Sequence, residues 1–461
     1  LVPLGCVALG GCTPERGVLV ELSLAEELEG QVDGICLVIS AQGGVRFAQR
    51  YAPEEVDLPA SLAVVAQSEG PQRAAAVAVA DRAGRPLARR SARLTLEQDP
   101  GSVALRLGAC EPMAPTTGFA HQTLTADFGG GASDVAAVDV DGDGVDEVVE
   151  VGASSLIRIV HLDGEQETLD WTAGSGSEGV LAVADINQDC APDFAAASGE
   201  ATVVAHSEGF GDYPSGNPVG IPTTRATSAV LCDPSGDGLA DLVLGTEEGV
   251  EIHSGGGQGR FDGDNPIRVV LGFAPSSPAS LACADLDGDL ADDVVVVGEI
   301  GERALLLADP ASGGIVIATD ALPESDDDLL VVRAGDLDGD GVQDLAVGGA
   351  AGLQIWLGTG SGSFVDETGS MLDAPVEGLV ADLSVGDADG DCRDDVLVMG
   401  EGSSRLLVAS AAGRLEHGWE DLPAAGGGAG AIGDLTGDGR PDLYFGWPED
   451  ERLLFVGGGP E

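Results

Sequence analysis

The sequence predicts an all-β protein, a seven-bladed β-propeller of four-stranded blades preceded by a small β-sandwich domain, and three observations support this. A nine-residue loop rich in Asp and Gly recurs seven times, beginning at Asp139, Asp185, Asp233, Asp285, Asp336, Asp387 and Asp434. Successive copies start 46, 48, 52, 51, 51 and 47 residues apart, a period that is typical of repeat architectures. Short apolar runs flank the loops, and 71 of the 461 residues are Gly, as expected of a chain dense in strands and turns.

The first twelve residues indicate export. Leu9-Gly10-Gly11-Cys12 is similar to a bacterial lipobox, in which the cysteine becomes the lipid-bearing first residue after cleavage. We therefore expect residues 1–12 to be the remnant of a signal peptide and Cys12 to carry a lipid. The protein would then lie at the outer membrane or the cell surface, and a secreted or periplasmic protein is the alternative.

Residues 13–111 are predicted to form an immunoglobulin-like β-sandwich, because about seven short runs alternate apolar and polar residues over about 100 residues. A change in charge marks the end of this domain. Residues 13–117 carry 14 acidic residues and 10 Arg, whereas residues 118–461 carry 65 acidic residues and 11 Arg. Residues 112–118 are the predicted linker. We expect the domain to be a spacer that lifts the propeller off a membrane.

Residues 119–461 are predicted to form the propeller. Each repeat offers one strand before its loop, one after it and two more, and radial packing of such four-stranded sheets protects most strand edges. In the seventh repeat the chain ends soon after the third strand, at 452–456. The segment at 122–127 precedes the first repeat and has no partner there. We therefore expect this segment to complete the seventh blade and close the ring.

The seven loops, numbered 1 to 7 in chain order, favour a metal ion as their ligand. Oxygen-bearing side chains recur at positions 1, 3, 5 and 9 of each loop, and Ca²⁺ binds six to eight hard oxygen donors. In loop 5, Gly339 and Gly341 permit a tight curl, and the carbonyl of Val342 is a further expected donor. The sequence therefore predicts up to seven Ca²⁺ ions. The predicted ligands are Asp139, Asp141, Asp143 and Glu147; Asp185, Asn187, Asp189 and Asp193; Asp233, Ser235, Asp237 and Asp241; Asp285, Asp287, Asp289 and Asp293; Asp336, Asp338, Asp340 and Asp344; Asp387, Asp389, Asp391 and Asp395; and Asp434, Thr436, Asp438 and Asp442.

The copies differ in the quality of their donors. Loops 4, 5 and 6 keep Asp at all four positions, whereas Glu147 gives loop 1 a longer reach and Asn187, Ser235 and Thr436 replace Asp at position 3 of loops 2, 3 and 7. Hydrogen-bonded turns without metal are the alternative, most of all for loops 3 and 7. Loop 1 also fits an EF-hand, with Glu150 at position 12, but the other loops have no carboxylate there and strands flank them all.

The motif Asp-x-Asp-Gly-Asp-Gly-x-x-Asp, followed by a short apolar run and Gly, resembles the FG-GAP/VCBS repeat of integrin alpha-chain β-propellers and many bacterial surface proteins. The resemblance covers residues 118–461. It implies that each loop joins the first and second strands of a blade and holds one Ca²⁺. It also implies binding or adhesion, through loops on one face of the propeller, to a protein or glycan.

The formal net charge of −58 excludes some partner classes. Nucleic acids and anionic lipid headgroups are bound through Lys and Arg, which are scarce here, so we expect no nucleic acid partner and no electrostatic membrane binding. The loops hold 28 of the 65 acidic residues after residue 117. Seven Ca²⁺ ions would return 14 positive charges and relieve part of the self-repulsion.

Six cysteines besides Cys6 and Cys12 are expected to form disulfides, since the protein is predicted to be exported. The expected pairs are Cys36 with Cys110 inside the first domain, Cys190 with Cys232 between adjacent repeats, and, less directly because they lie two repeats apart, Cys283 with Cys392. None of these cysteines has a neighbouring His in sequence, which argues against a zinc site or a nucleophile.

The sequence offers no catalytic constellation. His161, His206 and His253 recur at matching places in three repeats, but repetition explains this and adjacent blades would hold them too far apart for one ion. Nucleophile-elbow, zinc-protease and phosphate-loop motifs do not occur. We expect a monomeric, non-enzymatic protein that binds an unidentified protein or glycan. The alternatives are a structural envelope component without a diffusible ligand, and an accessory or catalytic unit of polysaccharide or lipid degradation.

Overall fold

Nine four-stranded sheets make up the described part of the protein, two within residues 2–107 and seven within residues 118–458. The computed structural model describes residues 2–9, 17–41, 44–53, 58–66, 72–96, 101–107, 118–124, 132–152, 157–162, 166–169, 179–198, 201–213, 219–221, 226–257, 259–262, 265–275, 277, 279–400, 404–422, 428–446 and 452–458. The described helical segments are α1 (Thr368–Met371) and the 3-10 turns Glu26–Leu28 and Glu299–Gly301, and Pro53 also has a 3-10 conformation. Within the same ranges, no helix has the length and apolar character needed to cross a membrane.

The first two sheets, which we call the N-terminal unit, share one hydrophobic core. Their strands are β1 (Val2–Leu9), β2 (Gly17–Leu24), β3 (Gly34–Ala41), β4 (Gly44–Tyr51), β5 (Ala60–Ala66), β6 (Gln72–Arg82), β7 (Arg85–Leu96) and β8 (Gly101–Leu107). The strand orders are β1-β5-β2-β8 and β4-β3-β6-β7, with β1/β5 and β2/β8 parallel and the other pairs antiparallel. Val20 and Leu62 of one sheet pack with Ile35, Leu37 and Leu94 of the other. The predicted signal remnant thus includes β1, an edge strand.

The other seven sheets, which we call repeat sheets 1 to 7, each contain one Asp-rich loop between their first and second strands. The strands are β10 (Ala132–Val138), β11 (Glu147–Gly152), β12 (Ile157–Val160) and β13 (Gln166–Leu169); β14 (Val180–Ala184), β15 (Asp193–Ser198), β16 (Ala201–Ala205) and β17 (Val219–Ile221); β18 (Ala226–Cys232), β19 (Asp241–Thr246), β20 (Gly249–His253) and β21 (Ile267–Val270); β22 (Leu281–Ala284), β23 (Asp293–Val297), β24 (Arg303–Asp309) and β25 (Gly314–Ala318); β26 (Leu329–Gly335), β27 (Asp344–Gly349), β28 (Leu353–Gly358) and β29 (Phe364–Asp366); β30 (Val380–Gly386), β31 (Asp395–Gly400), β32 (Ser404–Ser410) and β33 (Arg414–Leu422); and β34 (Ala429–Gly433), β35 (Asp442–Gly446), β36 (Arg452–Gly458) and β9 (Gly118–Leu124). All neighbouring strands within these sheets are antiparallel, as short connections require.

The repeat sheets pack in a closed circuit. Each sheet shares a buried apolar cluster with the next one in the chain, and the cluster of Val148, Val160, Tyr444 and Leu454 joins repeat sheet 7 back to repeat sheet 1. Second strands are therefore apolar on both faces, as in β23, which is buried throughout. The first strands of repeat sheets 1 to 5 line a cavity of about 340 Å³.

The seventh repeat sheet is completed by β9, which comes from the start of the repeat segment. β9 pairs antiparallel with β36, from Gly118 opposite Gly458 to Leu124 opposite Arg452. This confirms that the segment before the first repeat supplies the missing outer strand, although the strand is 118–124 where 122–127 was predicted. Residues 125–127 lie outside the described residues. A buried ionic network crosses the same seam: both oxygens of Glu150 meet the guanidinium of Arg452, and Tyr444 donates to Glu150 Oε1 at 2.6 Å.

The disulfides differ from the pairing that sequence spacing indicated. Cys36 is bonded to Cys190, so the bridge joins the N-terminal unit to loop 2 instead of closing within the unit with Cys110. Cys232 is bonded to Cys283 across repeat sheets 3 and 4, which overturns the expected Cys190–Cys232 and Cys283–Cys392 pairs. Cys392 is also disulfide-bonded. The predictions failed because distance along the chain carries no information on how the N-terminal unit docks. Cys12 and Cys110 lie outside the described residues.

Candidate metal-binding loops

All seven loops adopt one curled backbone. Positions 4 and 6 have positive φ in every loop, for example +80° at Gly339 and +84° at Gly341 of loop 5. Glycine is suited to this left-handed region because it has no Cβ. At position 6 of loops 2, 4 and 6 the residues are Cys190, Leu290 and Cys392, with φ of +77°, +75° and +75°. The curl is thus maintained even where a side chain makes it unfavourable.

Backbone N–H groups turn the carboxylates of each loop inward. In loop 5, Asp336 Oδ1 accepts hydrogen bonds from the N–H groups of Gly339 and Asp340, and Oδ2 accepts one from Gly341, at 2.9, 3.0 and 3.0 Å. Asp338 Oδ1 accepts from the N–H of Asp340, and Asp340 Oδ1 from that of Val342. Positions 1, 3 and 5 are thereby oriented by the fold itself, before any ion is considered.

The carboxylate at position 9 has a structural role as well. Asp344 begins β27 and is 1% exposed, and its Oδ2 accepts from the N–H of Leu337 at 3.0 Å while Oδ1 accepts from that of Gly358 at 2.8 Å. The side chain therefore ties the start of the loop to the end of the third strand. The residues with the same two-sided arrangement in loops 2, 3, 4, 6 and 7 are Asp193, Asp241, Asp293, Asp395 and Asp442.

Crowding of buried carboxylates raises their pKa values. The pKa of Asp344 is raised to about 7, first by burial and then by the charges of Asp338 and Asp340, although its backbone hydrogen bonds lower it. Burial is likewise the first cause that raises the pKa of Asp139, Asp185, Asp241 and Asp293 to about 7 and that of Asp395 to about 8. Such a group of acids is a costly arrangement unless protons or a cation compensate it.

Loops 1, 4 and 5 each bring three carboxylates to one point. One oxygen from each of three carboxylates lies within 4.8 Å of the other two in loops 1, 4 and 5. The residues are Asp139, Asp141 and Glu147; Asp285, Asp287 and Asp289; and Asp336, Asp338 and Asp344. Oxygen donors without nitrogen or sulfur are the set that Ca²⁺ prefers, so these residues fit the expected ion. Two similar groups include Cys36 and Cys190, or Cys232 and Cys283. They do not fit a metal ion, because cysteine binds metals as a thiolate and these sulfurs are in disulfides.

Loops 2, 3 and 7 have a side chain other than Asp at position 3, and this side chain is a weaker metal donor. In loop 3, the hydroxyl of Ser235 donates to Asp233 Oδ1 at 3.0 Å and is thus engaged within the loop. In loop 2, the amide nitrogen of Asn187 donates to Asp189 and its oxygen accepts from the Asp189 N–H. Thr436 in loop 7 is hydrogen-bonded to Asp442. These three side chains stabilise their loops as turns, which is the alternative that the sequence left open for them.

Glu150 and the three histidines do not add ligands to the candidate metal sites. Glu150, the EF-hand candidate, is fully buried in β11 and paired with Arg158 and Arg452, so it does not reach loop 1. The histidines each face an acid of their own repeat sheet and do not converge. The pairs are His161 Nδ1 with Glu147 at 3.6 Å, His206 Nδ1 with Asp193 at 3.6 Å and His253 Nε2 with Glu251 at 3.5 Å.

Position 8 has a role that sequence reasoning missed. Asp292 of loop 4 accepts a hydrogen bond from the backbone N–H of Asp233 in loop 3 at 2.8 Å, and its own N–H donates to the Asp233 carbonyl at 2.9 Å. In the same way, Asp146 of loop 1 accepts from the backbone N–H of Asp434 in loop 7. Asp394 of loop 6 accepts from the backbone N–H of Asp336 in loop 5. The only sequence signal for these links is a carboxylate at position 8 of loops 1, 4 and 6. In a loop that already contains several acidic residues, this carboxylate does not stand out.

Comparison with known families identifies the repeats. The model of the FG-GAP-like repeat matches at residues 233–296, 336–398 and 387–445. These segments begin at position 1 of loops 3, 5 and 6 and end in the second strand of repeat sheets 4, 6 and 7. No curated protein sequence matches the chain. Each matched segment thus runs from one Asp-rich loop through the next loop along the chain.

Solved β-propeller proteins resemble the structure. An Agrocybe aegerita lectin described for specific recognition of non-reducing terminal N-acetylglucosamine is 15% identical, with a TM-score of 0.45 over 89% of this chain and 96% of that chain. BBS1N in complex with ARL6DN is 13% identical, with a TM-score of 0.48 over 72% and 95%. Virginiamycin B lyase from Staphylococcus aureus is 12% identical, with a TM-score of 0.47 over 73% and 98%. At these TM-scores, none of the three bears on the function of this chain.

Proposed function

We propose that this chain, which contains FG-GAP-like repeats in a propeller-like array of small sheets, is an exported binding protein whose Asp-rich loops hold Ca²⁺. In this proposal the seven repeat sheets are the blades of a seven-bladed propeller, and the N-terminal unit is a β-sandwich. The closed circuit of shared apolar clusters, with the return from repeat sheet 7 to repeat sheet 1, supports a complete ring.

The observation that carries the proposal is the convergence of carboxylate oxygens in loops 1, 4 and 5. In loop 5, Asp336, Asp338 and Asp344 supply oxygens within 4.8 Å of one another, and no basic residue lies in the nine residues. A bound Ca²⁺ would supply the missing positive charge and hold the hairpin closed. Its role is structural, because the same residues also orient the loop and the second strand.

Binding of a protein or glycan, at the cell surface and without catalysis, is the function that we propose for the assembled domain. A propeller is a rigid scaffold that presents its connecting loops in a fixed arrangement, as ligand-binding surfaces require. The disulfides support an oxidising compartment outside the cytoplasm. Lipid attachment at Cys12, and with it a place at the outer membrane or cell surface, is part of the proposal and comes from the lipobox-like sequence alone.

Thermal unfolding tests the Ca²⁺ proposal. We expect millimolar Ca²⁺, added to metal-stripped protein, to raise the midpoint, since a ligand that binds only the folded state stabilises it by mass action. Mg²⁺ should raise it less, because Mg²⁺ gives up its water reluctantly. Asp338→Asn in loop 5 should reduce the Ca²⁺ response, whereas Asp326→Asn, an exposed acid outside the loops, should not. Equal midpoints with and without Ca²⁺, together with no calcium in elemental analysis, would refute the proposal.

A further inference from the structure

The N-terminal unit lies against the end of the repeat sheets that carries the Asp-rich loops. Since every loop joins a first to a second strand, all seven lie at that end, which we call the loop face. Part of the contact is made by β6, β7 and the turn between them, which we call the arginine hairpin. Arg82, Arg85, Arg89 and Arg93 all lie on it. Six of the ten Arg in residues 13–117 lie in this hairpin, these four together with Arg73 and Arg90, and the hairpin faces the acidic loops.

At loop 1, the hairpin engages the predicted metal ligand itself. Arg89 Nη2 donates to Asp139 Oδ2 at 2.8 Å, and Nη1 donates to Asp146 Oδ1. Asp139 Oδ2 also accepts from the N–H of Gly144, while Oδ1 accepts from those of Gly142 and Asp143. A carboxylate has about four lone-pair sites, and all four of Asp139 are therefore used.

Loop 4 repeats this arrangement with another arginine. Asp285 Oδ1 accepts from the N–H groups of Gly288 and Asp289, and Oδ2 accepts from that of Leu290 and from Arg82 Nη1 at 3.4 Å. Arg85 donates to Asp292 at position 8 of the same loop and to the carbonyl of Cys283 at 3.1 Å. Arginine thus takes the fourth acceptor site of position 1 in two separate loops.

Two further loops hold the hairpin in place. The carbonyl of Gly84 in the turn accepts a hydrogen bond from the N–H of Asp185 at 3.0 Å, and a Cβ on Gly84 would lie 2.2 Å from the Asp185 carbonyl oxygen. The Cys36–Cys190 disulfide fixes the same loop 2 to β3. Arg93 donates to the carbonyl of Gly437 in loop 7. Docking therefore combines a covalent bond, a backbone hydrogen bond and ion pairs.

Loop 5 provides the internal reference. Asp336 there has the same three backbone donors as Asp139 and Asp285, namely the N–H groups of positions 4, 5 and 6, and no arginine of the hairpin adds a fourth bond among the described residues. One acceptor site of the position 1 carboxylate is thus left for a cation in loop 5, whereas a guanidinium takes it in loops 1 and 4. The loops are unequal for a reason that lies outside their own nine residues.

We propose that the arginine hairpin is a built-in cationic ligand of the loop face, and that Arg89 and Arg82 oppose Ca²⁺ binding in loops 1 and 4. This inference rests on the proposed binding of Ca²⁺ by the loops. A guanidinium beside a divalent cation repels it and competes for the same carboxylate oxygens. Ca²⁺ at these two loops and docking of the hairpin are then antagonistic, so that calcium loading weakens the hold of the N-terminal unit on the loop face.

Calcium binding by the full-length protein tests this inference, with affinity from calorimetric titration and stoichiometry from equilibrium dialysis. We expect Arg89→Gln and Arg82→Gln each to tighten binding of one ion by at least about tenfold, because removal of a positive charge close to the site removes a repulsion of more than that factor. The double variant should bind two more ions than the wild type at the same low free Ca²⁺. Matched controls are Arg106→Gln and Arg268→Gln, both exposed and without a contact to an Asp-rich loop among the described residues, which should leave binding unchanged.

Loop 5 separates failure of this inference from failure of the proposed function. Asp336→Asn should remove one ion from the wild type if the loops bind Ca²⁺ at all. Loss of that ion, together with unchanged stoichiometry and affinity in the Arg82→Gln/Arg89→Gln double variant, would overturn the antagonism alone. Absence of calcium binding in the wild type and in every variant would overturn both proposals. Because the two arginines serve different loops, each single variant tests the inference even if the other does not fold.

Discussion

At the scale of single residues, the carboxylate at position 9 combines two tasks that sequence patterns do not separate. Asp344 is a predicted metal ligand, and it is also the acceptor for two backbone N–H groups from different parts of its repeat sheet. Position 3 of the same loop is different. Asp338 is more exposed and accepts only from the N–H of Asp340 among the hydrogen bonds described above. The two positions should therefore respond differently to the loss of charge when no metal is present.

We expect Asp344→Asn to lower the free energy of unfolding by about 1–3 kcal/mol in buffer that contains a chelator, because Asn keeps one acceptor and turns its NH₂ toward a buried N–H. Asp338→Asn should cost less than about 0.5 kcal/mol under the same conditions, since its oxygen can still accept the one bond. Urea unfolding measures both. Equal, small effects without metal would mean that position 9 serves the metal alone.

At the scale of elements, adjacent loops are joined by the aspartates at position 8. Asp394 lies in loop 6 and accepts from the N–H of Asp336, the first residue of loop 5, at 2.9 Å. The side chain thus gives this backbone N–H group an acceptor, and buried N–H groups without an acceptor are costly. Loop 5 has Gln343 at this position, and Gln343 makes no such bond among the described residues. The position 8 hydrogen bond therefore joins some pairs of adjacent loops and not others.

We expect Asp394→Ala to destabilise the protein by about 1–3 kcal/mol, because the Asp336 N–H loses its acceptor in a partly buried site. Gln343→Ala, at the same position of the neighbouring loop, is the matched control and should stay within about 0.5 kcal/mol of the wild type. Hydrogen exchange at the Asp336 amide, which should accelerate in the first variant alone, shows whether the loss is local to this seam. Unchanged exchange there would contradict the assigned role.

At the scale of the whole molecule, the seam between repeat sheets 7 and 1 decides whether the ring stays closed. β9 and β36 pair there, and the fully buried Glu150 and Arg452 form an ion pair with Tyr444 and Arg158 around it. Burial of a charge is tolerated only when it is paired and hydrogen-bonded. Both oxygens of Glu150 are used in this way.

We expect Glu150→Gln to lower the free energy of unfolding by about 3–5 kcal/mol, because Arg452 would remain buried without its counter-charge. Glu416→Gln, at an exposed site on β33, is the control for loss of one acidic charge and should have little effect. Chemical denaturation gives both values. A cost for Glu150→Gln that does not exceed that of the control would show that the network contributes nothing to closure.

Much of this architecture can be predicted from the sequence, because the seven nine-residue loops indicate both the number of repeat sheets and the place of the first hairpin in each. The completion of the last sheet by β9 follows from simple strand counting. The disulfide between Cys36 and Cys190 and the docking of Arg89 could not be predicted, since both depend on contacts between parts of the chain that share no periodicity. Position 8 was missed because Asp146 and Asp292 are chemically identical to the ligands around them.

The disulfide between Cys36 and Cys190 has a mechanical consequence. Residues 37–189 lie between the two cysteines, so tension applied before residue 36 and at the end of β36 passes through the sulfur–sulfur bond and bypasses this whole segment. β9 is inside it. Gly118 and Gly458 lie opposite each other in the β9/β36 pair, the geometry in which direct pulling would open a strand pair one hydrogen bond at a time. The covalent shortcut removes β9 from the path of the force, so β9 and β36 are not pulled apart from their adjoining ends.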